Sequence, residues 1–377
     1  MRRPVNRVRR HLAALASTLA MAAIAVPDGT RAEHSASAAV YVRDDTDRTT
    51  VISPRVRLRA QALENTHLDL AYAADVWTSA SVDIVASASE AVTEQRDEIN
   101  VGLDQVIGDV TLGGGYRYSI EPDYESHGGS LSIAWNLADN AATLALSVGG
   151  SADTVGRVGD DAFAEDVDTL VTGLSFTQVI DTDTLVQVLY DVTIVRGYQA
   201  SAYRYVALGG DGQCQRLAPF CLPEQNPRER LRHALALRLR RALGELWSVG
   251  AGYRGYLDDW GILSHTARAD LTWALDPSSA IALTYRFYTQ SAADHYKPFY
   301  FDSDRFDAYF TRDKELSPLS SHRVGLEIDR VWKLSGGDSG LVTGLEVAPT
   351  FYRYDDYPLL DQVTAIEVTA VAGMEFQ

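Results

Sequence analysis

The stretch that decides the fold is Thr364–Gln377, TAIEVTAVAGMEFQ. From Ile366 to Phe376 every second residue is apolar, whereas the residues between them are mostly polar or small. Alternation with a period of two over this length predicts a β-strand with one apolar and one polar face. An aromatic residue close to the end of such a strand is typical of outer-membrane barrels, although here Gln377 follows Phe376. The stretch therefore predicts a closed transmembrane β-barrel.

The N-terminal segment predicts export. Five arginines within the first ten residues precede an apolar segment, Leu12–Val26, and Ala23-Ile24-Ala25 offers a small-x-small cleavage site. We therefore expect 1–25 to be a signal peptide, with cleavage as late as residue 32 as the alternative. Residues 33–377 are then expected to form the barrel.

Composition limits the function classes. The formal net charge is −17 over 377 residues, and removal of the predicted signal peptide makes it more negative because that segment holds five arginines and no acid. So acidic a protein does not suit generic nucleic-acid binding. Beyond the N-terminus, no apolar run approaches the ~20 residues that a membrane-spanning helix needs. No motif for a cofactor is present.

Turn lengths indicate the strand number. Short polar turns such as Ile107-Gly108-Asp109 and Asp181-Thr182-Asp183 recur through the chain, and most of the connections between them are longer, including 79–91, 198–229 and 293–318. Short periplasmic turns on one side and longer extracellular loops on the other are typical of transmembrane barrels. The count predicts about sixteen antiparallel strands (14–16), with both chain ends on the short-turn side.

Tryptophans support the membrane assignment. Four of them fall within a few residues of short turns, and each has the parity of the apolar face of its strand. This arrangement predicts one interfacial aromatic girdle, because tryptophan concentrates at the boundary between lipid and water. The predicted membrane-girdle residues are Trp135, Trp247, Trp273 and Trp332.

Charged residues predict the lumen. In Thr49–Leu63 the arginines Arg55, Arg57 and Arg59 alternate with apolar residues, and an arginine facing lipid at mid-bilayer would cost ~2–4 kcal/mol. The same parity selects further lumen-facing candidates, which are Arg117, Arg238, Arg240, Arg254, Arg268, Arg286, Arg323, Asp69, Asp270, Glu327, Asp329, Glu346 and Glu367.

Two interpretations of this mixed set remain open. The charges form ladders of ion pairs that brace the interior, or they line a wet channel with separate basic and acidic walls. Sixteen strands leave a barrel wide enough for water unless loops fold inward. The two longest loops, 198–229 and 293–318, are the candidates for doing so.

The two cysteines, Cys214 and Cys221, lie in one of these loops. In an exported protein, such a pair predicts a local disulfide. Closing so small a loop would contribute only about 2–2.5 kcal/mol in the chain-entropy model. A two-cysteine metal site is the alternative, but no histidine flanks the pair at ligand spacing.

Catalytic and metal-binding patterns are weak. Ser264-His265 and Ser321-His322 pair a hydroxyl with an imidazole in sequence, but adjacent residues of a strand point to opposite faces. Asp302, Asp304 and Asp307 suggest divalent cations at an acidic loop, although the Gly and Glu of a calcium loop are missing. A solvated acidic rim is the alternative.

Four short motifs give the chain a family resemblance: TSASVD (78–83), LSHTA (263–267), YRFYTQSAAD (285–294) and RDKELSPLSSH (312–322). Together they resemble a family of exported bacterial proteins known only as a domain of unknown function and thought to be outer-membrane barrels. The resemblance covers nearly all of the mature chain and implies the outer membrane as location, but it implies no activity.

The sequence thus predicts an outer-membrane barrel that acts as a channel, or as a transport or binding component, for an unidentified solute. A structural or partner-docking barrel in an export or assembly system and an outer-rim hydrolase of lipid or peptide are the alternatives. No catalytic constellation is found, so we expect no enzyme. The expected partners are outer-membrane lipid and lipopolysaccharide, the barrel assembly machinery and possible divalent cations, with no nucleic acid and no cofactor.

Overall fold

The computed structural model describes residues 34–79, 92–209, 214, 221–334, 340–358 and 360–376. The predicted signal peptide and the predicted loop 79–91, except for Ser79, lie outside these residues. Sixteen of the strands form one closed barrel in which every neighbouring pair is antiparallel, and β10 and β11 form a separate two-stranded sheet. The predicted fold and strand number are therefore confirmed.

The strands follow the chain around the barrel in sequence order. Their bounds are β1 His34–Asp45, β2 Thr49–Leu63, β3 Thr66–Ser79, β4 Val92–Ile107, β5 Val110–Glu121, β6 Tyr124–Leu137, β7 Ala142–Gly156, β8 Ala164–Val179, β9 Thr184–Gly197, β10 Tyr205–Ala207, β11 Cys221–Pro223, β12 Glu229–Leu243, β13 Trp247–Asp258, β14 Leu263–Asp276, β15 Ser279–Gln290, β16 Leu319–Lys333, β17 Gly340–Tyr354 and β18 Gln362–Phe376. Two short 3-10 turns span Asp302–Phe306 and Lys314–Leu316.

The first and last strands close the barrel. β1 pairs with β18 over its full length, from His34 opposite Phe376 to Asp45 opposite Ala365. The aromatic rings of His34 and Phe376 stack with centroids 5.8 Å apart. This closure gives each of the sixteen barrel strands two hydrogen-bonded neighbours, so the described wall has no backbone edge that faces lipid.

The outward face of the wall is apolar, which is the reverse of a water-soluble protein. Side chains such as Leu58, Leu131 and Leu283 are about half to two-thirds exposed, at 47%, 66% and 51%. Apolar exposure repeated around a whole barrel marks a surface that meets lipid. Among the described residues, no helix is long and apolar enough to cross a membrane.

Short turns and long loops lie at opposite ends of the barrel. The turn between β2 and β3 and the turn between β4 and β5 are tight, and Asn65 and Gly108 take positive φ angles there, 60° and 57°. Positive φ is the backbone state that tight hairpins require and that Asn and Gly tolerate. The opposite end carries the connections 198–228 and 291–318.

The effect of a charged substitution on stability should depend strongly on whether the side chain faces lipid or the lumen. Leu283→Arg would place a charge on the outward face of β15, which we expect to lower the free energy of unfolding by about 2–4 kcal/mol. Ala282→Arg at the neighbouring inward position stands opposite Glu327 and is expected to change it by less than about 1 kcal/mol. Urea unfolding in lipid vesicles, followed by gel mobility, measures both. Equal losses in the two variants would contradict the assigned faces.

Candidate functional site

One wall of the lumen, on β2 to β5, holds arginines that are paired with carboxylates. Arg57 lies 2.6 Å from Asp69, and Arg59 lies 3.3 Å from Asp104. Each pair links different strands, so this wall is a ladder of ion pairs that braces the barrel. Two further pairs in the same wall join Arg96 with Asp75 and Arg117 with Glu98.

The facing wall, on β12 to β16, holds arginines in a line. Arg238 is the register partner of Gly252, which is the partner of Arg268. Arg268 stands opposite Arg286, and Arg286 stands opposite Arg323. These five positions on five neighbouring strands form one level of the lumen, which we call the arginine row.

Only one end of the arginine row has carboxylate partners. Arg323 bonds Glu346 at 2.9 Å and Glu367 at 3.0 Å. Arg238 donates a hydrogen bond to the amide oxygen of Gln187 at 3.3 Å. Within the described residues, Arg238, Arg268 and Arg286 form no ion pair. Like charges at directly opposed positions repel each other, so this level concentrates positive charge that no carboxylate of the described residues balances at Arg268 and Arg286.

Two more arginines extend the basic wall toward the outer mouth. The guanidinium of Arg254 lies over the Tyr256 ring, 5.6 Å from its centroid, and Arg232 has a buried Nε without a hydrogen-bond partner. Asp191 on β9 lies in the field of Arg238 and Arg254 but forms no ion pair with either within the part of the chain that the structure describes.

Carboxylates lie on the side of the arginine row that faces the short turns. Asp270 is one register level below the row and bonds Arg240 at 2.9 Å. Glu327 lies two levels below, opposite Glu346, and Asp329 lies one level further. Arg55, the remaining predicted lumen residue, interacts electrostatically with Asp75 on β3. The wall therefore changes sign along its length.

The described parts of the two longest loops form a single unit, which we call the outer cap and define as residues 198–209, 214, 221–228 and 291–318. Isolated bridges join them, between Leu208 and Tyr300 and between Gln225 and Phe310. Val206, Leu208, Tyr300 and Phe310 pack into one buried apolar cluster. The disulfide between Cys214 and Cys221 ties one of the loops beside this cluster.

A buried ionic group fastens the outer cap. Arg204 bonds Asp313 at 2.7 Å and lies 3.4 Å from Glu224, and both carboxylate side chains are fully buried. Glu224 also accepts hydrogen bonds from the Ser201 N–H, at 2.9 Å, and from the Thr311 hydroxyl. Charges this far from water are stable only when paired and hydrogen-bonded.

The outer cap is bonded to other parts of the outer end of the barrel. The Tyr203 hydroxyl donates to Asp123, in the turn between β5 and β6, and accepts from the Val158 N–H at 2.8 Å. In the second loop, Lys314 bonds Asp47, between β1 and β2, at 2.8 Å. The turn with Asp123 adjoins β6, three strands from β9, and Asp47 follows β1, three strands from β16. The cap therefore extends along the outer rim beyond the strands that its loops connect.

The Tyr and His residues of the outer rim form pairs that sequence reasoning missed. On the outward face, a tyrosine hydroxyl bonds Nδ1 of a histidine on the next barrel strand, at 2.6 to 2.8 Å. The sequence indicates that each of these residues points outward, because each has the parity of the apolar face of its strand. It does not indicate the register between strands that places a particular tyrosine next to a particular histidine. The pairs are Tyr116–His127, Tyr190–His233, Tyr253–His265 and Tyr285–His322.

The four tryptophans proposed for the girdle are 40% to 51% exposed. Trp247 and Trp273 are register partners beside short turns, and their rings stack at 5.4 Å. Trp332 donates from Nε1 to Thr343 at 2.9 Å. Trp135 lies near the end of β6. The group therefore lies at the short-turn end of the wall.

Within the described residues, the Ser-His pairs and the acidic loop identified in the sequence do not form a catalytic or metal-binding arrangement. Ser264 is buried on the inward face of β14, whereas His265 bonds Tyr253 on the outward face. Asp304 and Asp307 bond Lys297 at 3.1 and 2.8 Å, and hydrogen bonding from the Phe301 N–H, with Lys297, lowers the pKa of Asp304. No group of three or more His, Cys, Asp or Glu side chains in the described ranges could hold a metal ion.

His295 is a partly buried titratable group of the outer cap. Its Nε2 donates to Asn226 Oδ1 at 3.0 Å, and the edge of the ring meets Trp260 with centroids 5.1 Å apart. Burial and the charge of Arg230 lower the pKa of His295 to about 4, although Asp294 opposes the shift. The folded cap therefore holds a neutral imidazole.

The ionic group of Arg204, Glu224 and Asp313 predicts which substitution destabilises the outer cap. Arg204→Met leaves Glu224 and Asp313 buried without their cation, which costs about 3–5 kcal/mol locally. We expect faster protease cleavage within 198–228 in reconstituted protein, with the strands still resistant. Arg353→Met removes an exposed pair with Asp355 and serves as the control, since such pairs contribute little. Identical cleavage of the two variants would rule out this role for Arg204.

The pKa of His295 predicts a pH dependence. Between pH 6.5 and about 4 the unfolded segment binds a proton that the folded cap does not, so cap stability falls as the pH falls through this window. We expect faster cleavage of the cap at pH 5 than at pH 7, measured in vesicles. His295→Gln should remove most of the difference, and an unchanged pH profile in that variant would contradict the assignment.

Comparisons with known proteins give a fold and a family. A solved bacterial polysaccharide outer membrane secretin is 9% identical with a TM-score of 0.53, over 93% of this chain and 100% of that one. OprD of Pseudomonas aeruginosa is 9% identical with a TM-score of 0.44 over 91% and 94% of the two chains. OccD3 (OpdP) of the same organism is 10% identical with a TM-score of 0.45 over 90% of each.

None of the curated proteins matches the chain. A family model described as a protein of unknown function (DUF3570) matches residues 82–169 and 161–346, which together make up more than half of the sequence. The predicted resemblance is therefore confirmed. The chain is a bacterial outer-membrane β-barrel and belongs to the family described as a protein of unknown function (DUF3570).

Proposed function

We propose that the protein is an outer-membrane channel for small solutes that carry negative charge. The observation that supports this proposal is the arginine row, in which Arg238, Arg268 and Arg286 have no ion pair within the described residues. The whole chain is strongly acidic, so a cluster of free arginines at one level is a local exception. A cluster of fixed positive charge on the wall of a wet pore favours anions.

The contrast between the walls supports a binding role over a bracing role for the row. Arg57 and Arg59 are held by Asp69 and Asp104, so their charge is already neutralised. Arg268 and Arg286 instead stand opposite each other, which adds no stability to the barrel. The proposal needs no catalytic residue, because passage or binding of a solute involves no bond cleavage.

Partners at the membrane are part of the same proposal. We propose that the barrel assembly machinery recognises β18, which has Phe376 at its end and closes the barrel on β1. The Tyr253–His265 pair and its counterparts would face lipid headgroups or lipopolysaccharide. The acidic loop gives little support for divalent cations, because Lys297 already bonds two of its aspartates.

Ion selectivity tests the channel. In planar bilayers with a KCl gradient, we expect a reversal potential that indicates anion preference. The double variant Arg268→Gln/Arg286→Gln should lower the chloride-to-potassium permeability ratio roughly threefold or more, because it removes the unpaired charge at one level. Arg57→Gln is the matched control, since Asp69 already holds that arginine. A cation-selective wild type, or a double variant with unchanged selectivity, would refute the proposal.

A further inference from the structure

A cavity in the lumen wall adjoins the arginine row on its short-turn side. Its volume is about 310 Å³, which is the lower end of the range for small-molecule sites. Arg268 lines one side, and Glu327 and Asp329 line another. The remaining lining residues include the bonded pair Arg240 and Asp270 and the hydroxyl residues Thr272 and Thr284.

Charge pairing leaves both signs free around this cavity. Arg240 and Asp270 neutralise each other. Arg323, whose field reaches Glu327, is already bonded to Glu346 and Glu367. In the part of the chain that the structure describes, Arg268 and Arg286 on one side and Glu327 and Asp329 on the other therefore remain without an ion pair.

Strand geometry keeps the two free groups apart. Glu327 stands opposite Ala282, four residues along β15 from Arg286. At about 3.4 Å per residue, the Cα atoms of Ala282 and Arg286 are roughly 13–14 Å apart along the strand. The Thr284 hydroxyl lies at the level between them, buried and without a hydrogen-bond partner. In the described residues no ion pair crosses this gap, and its length suits a ligand with a charge at each end.

Small residues hold the acidic side in place. A Cβ added to Gly344 would lie 2.6 Å from the Asp329 carboxylate, so only glycine leaves that carboxylate its position. A Cβ at Gly250 would likewise lie 2.2 Å from Asp270. The carboxylates of Asp329 and Asp270 thus lie against glycine backbone that carries no side chain, which leaves the cavity in front of them open.

We propose that this cavity binds a zwitterionic solute, with its anionic group on Arg268, next to Arg286 in the row, and its ammonium group on Glu327 and Asp329. The proposal rests on the channel function above and adds the requirement for a positive group on the solute. An anion satisfies only the arginines, whereas a zwitterion neutralises both unpaired sets and supplies the Thr284 hydroxyl with a polar neighbour. Charge-assisted hydrogen bonds at both ends favour it over either half.

The test compares three probes of equal chain length: 6-aminohexanoate, hexanoate and hexylamine. Permeation is measured in vesicles that hold the full-length protein, with wild-type folding of each variant checked by gel mobility. We expect 6-aminohexanoate to permeate roughly tenfold faster than hexanoate, because each charge-assisted hydrogen bond is worth about 1.5 kcal/mol or more. In Glu327→Gln/Asp329→Asn that advantage should disappear while anion selectivity persists.

Glu98→Gln is the matched control, because Glu98 is a lumen carboxylate held by Arg117 in the facing wall. It should keep the preference for 6-aminohexanoate. If the Glu327→Gln/Asp329→Asn variant also keeps it, with anion selectivity intact, the zwitterion site is wrong and the channel stands. If the wild type prefers hexanoate, the site is wrong as well. A wild type without anion selectivity overturns the channel and the site together.

Discussion

Backbone hydrogen bonding in lipid is the constraint on which the structure depends. An unpaired N–H or C=O group in the hydrocarbon layer costs several kcal/mol, so the sheet has to close, and it does so where β1 meets β18. Closure fixes every strand to one dry and one wet face. Each charged side chain of the wall then has a single acceptable direction, and the lumen becomes charged because the outside cannot be.

Within that lumen, register decides whether an arginine has a carboxylate partner. On β2 to β4 the neighbouring strands place Asp69 and Asp104 within reach of Arg57 and Arg59. On β12 to β16 the corresponding neighbours of Arg268 are Gly252 and another arginine.

The sequence predicts the features that depend on hydrophobic period and on side-chain parity. It does not predict contacts that depend on how one strand is aligned with the next. Alternation in Thr364–Gln377 and the short turns led to the barrel and its sixteen strands. The opposition of Arg268 and Arg286 could not be read in the same way, since it requires the turn after β14 and the register shift between Ala274 and Asp276. Cap contacts such as Arg204 with Asp313 join non-periodic loops, where no pattern indicates a partner.

In the proposed channel, a solute meets the outer cap first and the arginine row second. In the cap, Arg204 holds Asp313 and Lys314 holds Asp47. Below the cap, Arg254 and then Arg268 and Arg286 form no ion pair within the described residues. An anion that enters the proposed channel therefore meets unpaired positive charge inside the barrel, before the level at which the wall changes sign.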